Sequence, residues 1–228
     1  MEDLLYNYMN QRFSEVNHDD YDQHLGPVIT ISRAAGCSAR GLVNELSDKL
    51  NEKRKGHKWE VISKDILHHS AELLNTNPEK VKSIFELQER TLFEEVIQTF
   101  ISGDYQLEKK MIKTVIKVIH KFGAEGNKII VGRAANIICA DIPNSLHIRI
   151  DAPLDWRIDQ VVKCKNCPRE EAINSIKTTE KNRRNFRKTI KKDIHEKNNY
   201  DLIINQATFS QDEIIDIIIK AIIIKKID

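Results

Sequence analysis

Residues 27–41 read Pro27-Val28-Ile29-Thr30-Ile31-Ser32-Arg33-Ala34-Ala35-Gly36-Cys37-Ser38-Ala39-Arg40-Gly41, and the fold turns on how this stretch is read. The β-branched run Val28 to Ile31 predicts a buried strand. Small residues from Ala34 to Ala39 predict a tight turn, and apolar positions at Leu42, Val43, Leu46 and Leu50 predict a helix behind it. A turn of small side chains lets backbone N–H groups point inward at the start of that helix. There the unpaired donors and the helix dipole favour an anion such as phosphate. Arg33 and Arg40 bracket the turn. Against the phosphate-loop pattern GxxxxGK[ST], the signature positions fall on Ala34, Ala39, Arg40 and Gly41, and none matches as written. The segment alone therefore leaves two readings open, an ordinary strand-to-helix turn of an α/β core and a phosphate-binding one.

Working outward, the same alternation recurs. Trp59 to Ile62, Lys128 to Val131, Leu146 to Ile150 and Tyr200 to Asn205 read as further strands. Helical patterns separate them: Lys64 to Leu74, two long helices in series from Pro78 to Phe122 broken at Ser102-Gly103-Asp104, a short one through Ile137 and Ile138, and Leu154 to Val162. Cys167-Pro168-Arg169-Glu170-Glu171 has proline and acids where a helix begins. Ser210-Gln211-Asp212-Glu213 reads as a capping box before the last helix. Strands joined by helical crossovers pair in parallel with right-handed connections. The expected fold is therefore α/β, a three-layer α/β/α sandwich around a five-stranded parallel sheet. Ligands of such sheets sit at the carboxyl ends of the strands. Arg33, Arg133, Asp151 and Asn205 all fall at such ends and converge although scattered in sequence.

Composition narrows the class. The 228 residues suffice for one core and contain no Pro/Gly/Ser-rich linker, so we read a single domain over 27–228 preceded by an N-terminal helical extension over 1–26. In that extension Leu4, Leu5, Tyr8, Met9, Phe13 and Val16 stand at helical spacing. The absence of an apolar leader or span predicts a cytoplasmic protein. Four cysteines are too few for a disulfide framework, and eight histidines include no HExxH. The net charge of +2 is unevenly spread: Lys177 to Lys197 carries +6 and the rest −4. Such a block suits a solvated helix face, a nucleic-acid patch or a cluster that neutralises a multiply charged small molecule. Nucleic acid is disfavoured because only Phe186 offers a stacking ring there. The Ile-rich end, Ile214 to Ile224, is interrupted by Asp216 and Lys220 and reads as core helix with surface to spare for a homodimer contact.

The turn resembles that of the cytidylate kinase-like family, which runs approximately Ile-Ser-Arg-Glu-Phe-Gly-Ser-Gly-Gly-Arg-Glu. Ile31, Ser32, Arg33, Gly36 and Arg40 match it, while Ala34, Ser38, Ala39 and Gly41 replace Glu, Gly, Gly and Glu. Ile129 to Ala134 resembles the family's strand ending in Val-Gly-Arg. Leu146 to Leu154 with Arg157 resembles its next strand and helix, and Asn199 to Asn205 its last strand. Glu180-Lys181-Asn182-Arg183 is similar to the Asp-x-x-Arg of its lid. The likeness covers roughly residues 27–220.

What the resemblance implies is a nucleoside monophosphate kinase-like fold that moves the γ-phosphate of ATP to an acceptor, CMP or dCMP first. A helical acceptor-side region would span 64–124 and a basic lid 167–199. Arg33, Gly36, Cys37, Ser38, Ala39, Arg40 and Gly41 would bind ATP. Arg40, Arg183 and Arg184 would carry catalysis, and Arg133, Glu180 and Arg187 the acceptor. Mg2+ would accompany ATP, with Ser38 or Asp151 as the candidate ligands. Dedicated cytidylate kinases have aspartate where Ala134 stands and Tyr-Asp where Ile62-Ser63 stands. The methyl of Ala39 and the Cβ of Ser38 are expected to hold phosphates off the loop and slow the reaction. The alternative function is a catalytically weak or inactive nucleotide-binding regulatory module.

Overall fold

The computed structural model describes residues 26–52, 54–63, 105–190 and 200–227. The expected helices over 2–16, 64–74 and 78–102, and residues 191–199 of the basic segment, lie outside the described residues. Five strands form one sheet: β1 (Val28–Arg33), β2 (Glu60–Ile62), β3 (Lys128–Val131), β4 (Ser145–Asp151) and β5 (Leu202–Asn205). Their order is β2-β3-β1-β4-β5 and every pairing is parallel. Among the described residues six helices accompany them: α1 (Arg40–Asn51), α2 (Tyr105–Glu125), α3 (Ala135–Ile138), α4 (Leu154–Lys165), α5 (Arg169–Ile190) and α6 (Gln211–Lys225).

The middle strand explains the run that opened the chain. Paired by β3 along one edge and β4 along the other, and covered by helices on both faces, β1 is central, and Val28, Ile29 and Ile31 are fully buried. Each such side chain contributes roughly 1.5–3 kcal/mol on leaving water. Alternation then divides the core into two layers. On one face Ile29, Ile31, Ile129, Leu146, Ile148, Ile150 and Ile204 meet Leu42, Val43 and Leu46 of α1 and Ile214, Ile215, Ile218 and Ile222 of α6. On the other, Val28, Ile62 and Ile130 meet Val115, Val118 and Ile119 of α2, Ile138 of α3 and Phe186 of α5.

Local signals determine where the helices start. The capping box of α6 is formed, with Ser210 Oγ accepting from the Glu213 amide and the Glu213 carboxylate accepting from the Ser210 amide. Helix α5 begins right after Pro168 with Glu170 and Glu171 in its first turn, as proline geometry and the helix dipole favour. It then runs on through most of the basic segment. The second face of β4 departs from an apolar core: His147, Arg149 and Asp151 share it, and the His147 ring lies between Thr30 Oγ1 (2.8 Å) and Ser145 Oγ (3.3 Å). Burial holds the imidazole below its usual pKa, so it is neutral at pH 7.

Candidate functional site

The turn after β1 is held from three sides. Its frame is a four-residue turn closed by the Cys37 amide donating to Ala34 O (3.1 Å), with Gly36 in third place at φ +94°. That is the position at which a type II turn demands a positive φ and therefore glycine. A Cβ on Gly36 would also lie 2.7 Å from the Arg157 carbonyl oxygen, so helix α4 approaches the turn as closely as glycine allows. From α4, Arg157 donates to Ala152 O (2.9 Å) and to Ala35 O (3.0 Å). From α5, Glu180 Oε1 accepts from the Ala35 amide (2.7 Å) and lies 3.5 Å from the Arg157 guanidinium, while Arg183 donates to Arg33 O (2.8 Å). The third side is the exit of β5, where Gln206 meets Ser38.

Inside this frame α1 begins without a side-chain cap and without an acid in its first turn. The amides of Arg40, Gly41 and Leu42 have no acceptor within the helix, as geometry requires of any first turn. Arg40 is exposed at the leading helical position, where a cation opposes the helix dipole. An anion seated on those amides removes both penalties. Cys37 lines the turn as a neutral thiol, since burial, reinforced by the nearby Asp151 carboxylate, pushes it up to about 11.

The β3 exit supplies a second cationic edge. Gly132, Arg133 and Ala134 all have positive φ (72°, 54° and 55°), and the Ala135 amide donates to Gly132 O (3.0 Å). Two successive non-glycine residues in the left-handed region cost about 1–2 kcal/mol each, so the surroundings impose this turn. It carries Arg133 to the carboxyl edge of the sheet. Arg33 joins it there: a Cβ on Gly132 would meet the Arg33 guanidinium at 2.5 Å.

The structure thus brings together Arg33, the segment Gly36 to Gly41, Glu180 and Arg183, with Arg133 beside them. Arg184 and Arg187 follow on α5; Arg184 is exposed and Arg187 half-buried. Glu180 holds the turn itself, through the Ala35 amide. Ser38 is exposed, and both Asp151 oxygens are engaged, Oδ2 by Arg149 Nε (2.9 Å) and Oδ1 by the Ala152 amide (2.9 Å). Burial opposes the Arg149 charge, but the bond to Asp151 outweighs it and keeps the guanidinium firmly protonated. Among the described residues no three His, Cys, Asp or Glu side chains cluster as a metal cage.

Ala39 corrects one expectation. Its methyl is 4 % exposed and packs with Leu42, Val43 and Ile31 in the core, so it is turned away from the loop interior. Replacing it with glycine removes core contact rather than opening the loop. The roles of Arg157 and Gln206 in holding the turn were not read from the sequence. The only signal for Arg157 was its match to the family pattern, and for Gln206 there was none.

Residues 28–208 match the model of the cytidylate kinase-like family. Among solved structures, an uncharacterised protein from Eubacterium ventriosum superposes with a TM-score of 0.60 at 20 % identity, over 86 % of this chain and 98 % of that one. The protein TT1252 from Thermus thermophilus gives a TM-score of 0.48 at 14 % identity, over 88 % and 97 %. The first of these likenesses supports the fold alone. No curated protein matches the chain.

Proposed function

The chain belongs to the cytidylate kinase-like family, and from that premise we propose that it is an ATP-dependent nucleoside monophosphate kinase, with CMP or dCMP as the leading acceptors. The observation that carries the reading is the uncapped start of α1, with Arg40 on its first turn, inside a turn held by α4, α5 and the β5 exit. Phosphoryl transfer asks a protein mainly to position the reactants and to neutralise charge spread over several oxygens. The amides of Arg40 to Leu42 and the Arg40 guanidinium hold the donor phosphates in this reading. Arg133 holds the acceptor phosphate from the β3 side, and Arg183 and Arg184 of α5 offset the charge of the migrating group. Arg183 is well suited to this because its bond to Arg33 O ties the lid helix to the turn. Mg2+ bound with ATP would supply charge neutralisation at the donor phosphates, with Ser38 and Asp151 the side chains that would help hold it. The Arg149 pair argues against direct ligation by Asp151.

A second reading, nucleotide binding without turnover, draws on the Ala35 and Ser38 amides, which are already engaged by Glu180 and Gln206. Nucleic-acid binding through 177–197 is weaker, because Phe186 is buried in the core and cannot stack on a base. The test is a panel of nucleoside monophosphates incubated with ATP and Mg2+, read by ADP release. Kinase activity predicts acceptor-dependent ADP formation, strongest with CMP or dCMP. ATP binding with no transfer to any monophosphate selects the second reading.

A further inference from the structure

The β5 exit reaches the turn through one side chain. Gln206 Oε1 accepts from the Ser38 amide at 3.0 Å, and Gln206 Nε2 donates to the Ser38 carbonyl at 2.8 Å. The backbone of Gln206 is fixed in turn, since its own amide donates to Asp151 O at 2.8 Å. Through its backbone amide and its carboxamide, this one residue therefore ties the end of β4 and the exit of β5 to a residue 168 positions earlier in the chain.

We propose that Gln206 is a positioning residue for the phosphate-binding turn, and that it decides which side of the loop presents free amide donors. A carboxamide can grip the N–H and C=O of one residue only when both point the same way, that is, when the residue is extended. The next amide, that of Ala39, then faces the opposite side. Ser38 is exposed, so water competes for its peptide groups whenever the carboxamide is lost. No other residue type reproduces the contact. Glutamate accepts but cannot donate, alanine does neither, and asparagine is one carbon short. The first residue of α6, Gln211, lies beside Gly41 as well, where a Cβ would meet its Oε1 at 3.0 Å, so the chain after β5 meets both the loop and the start of α1.

The inference rests on the phosphate-binding reading of the turn, and two measurements separate the two. Amide hydrogen exchange at Ser38 is followed by NMR in the wild type, Gln206→Ala and Gln206→Glu, and ATP affinity is measured by calorimetry on the same three proteins. Expected is a Ser38 exchange rate raised about tenfold or more in Gln206→Ala and less in Gln206→Glu, whose carboxylate still accepts from the Ser38 amide while repelling its carbonyl. ATP affinity should weaken roughly threefold to tenfold, in keeping with one or two neutral hydrogen bonds, with the melting temperature little changed. Steady-state assays should raise KM for ATP while leaving KM for the acceptor in place, a split that general loss of stability does not produce. Unchanged exchange at Ser38 overturns the clamp. Tighter ATP binding by Gln206→Ala overturns positioning and makes Gln206 a competitor for the amide. If no variant binds ATP, the functional reading falls and positioning for ATP falls with it, while the exchange rates still decide whether the clamp exists.

Discussion

Replacing Gly36 by alanine tests the turn at its most constrained point. Two costs add. At φ +94° an L-residue with a Cβ is strained, which costs about 1–2 kcal/mol. The new Cβ also meets backbone rather than a flexible side-chain end, with the Arg157 carbonyl oxygen at 2.7 Å and the Arg157 Cβ at 2.8 Å. Either the turn or helix α4 must move, and overpacking of this kind costs roughly 1–3 kcal/mol. Together they predict a loss of about 3 kcal/mol. For a chain of this size that corresponds to a melting temperature lower by roughly 6–12 °C. Gly56→Ala is the control, because nothing lies within 4 Å of a Cβ there and its φ is not in the left-handed region. Differential scanning fluorimetry, backed by urea unfolding, measures both variants, and ATP titration of the folded fraction measures the donor site. Because Arg157 also holds Ala35 O, the displaced turn should weaken ATP binding as well. If Gly36→Ala melts within 1 °C of the wild type and of Gly56→Ala, the close approach of α4 to the turn is not a constraint and the reasoning fails.

Two further outcomes are expected. Glu180→Ala removes the acceptor of the Ala35 amide and the partner of Arg157, at a side chain only partly shielded from water. The cost should be about 2 kcal/mol in urea unfolding, with Glu180→Gln losing less because its carboxamide oxygen still accepts from Ala35; equal losses would show that the hydrogen bond is not what matters. The second concerns pH. Burial depresses the His147 pKa below that of the unfolded chain, with Lys225 acting in the same sense and Asp201 opposing. The unfolded chain therefore takes up a proton first as pH falls below 6.5, so this contribution to stability is full above 6.5 and is lost on acidification down to the folded value. Melting temperatures from pH 7.5 to 5 should fall more steeply in the wild type than in His147→Gln, and parallel curves would remove His147 from the account.

The sequence by itself determined the frame. A strand covered on both faces by apolar core needs a nearly unbroken β-branched run, so β1 and β3 stand out from residue types alone, β4 shows itself by the alternation of Leu146, Ile148 and Ile150, and the parallel sheet follows from the helices between them. The helix starts are equally local: Ser210 and Glu213 are three residues apart, and Pro168 precedes Glu170 and Glu171 within a single turn, so capping needs no tertiary information. The convergence of Arg33, Arg133 and Asp151 was legible for the same reason, because topology sends the carboxyl ends of parallel strands to one edge. Tertiary structure alone decided what the loop residues face. Ala39 is a small residue in a turn by sequence and a core residue by packing, because it stands at the N-cap of α1 where that helix meets the apolar face of the sheet. Glu180 and Gln206 are two polar residues among many, and their partners Ala35 and Ser38 lie 145 and 168 positions away. A hydrogen bond of that span leaves no periodic or compositional trace, since its donor is a backbone amide that every residue but proline possesses and its geometry exists only once the sheet has brought the strand ends together.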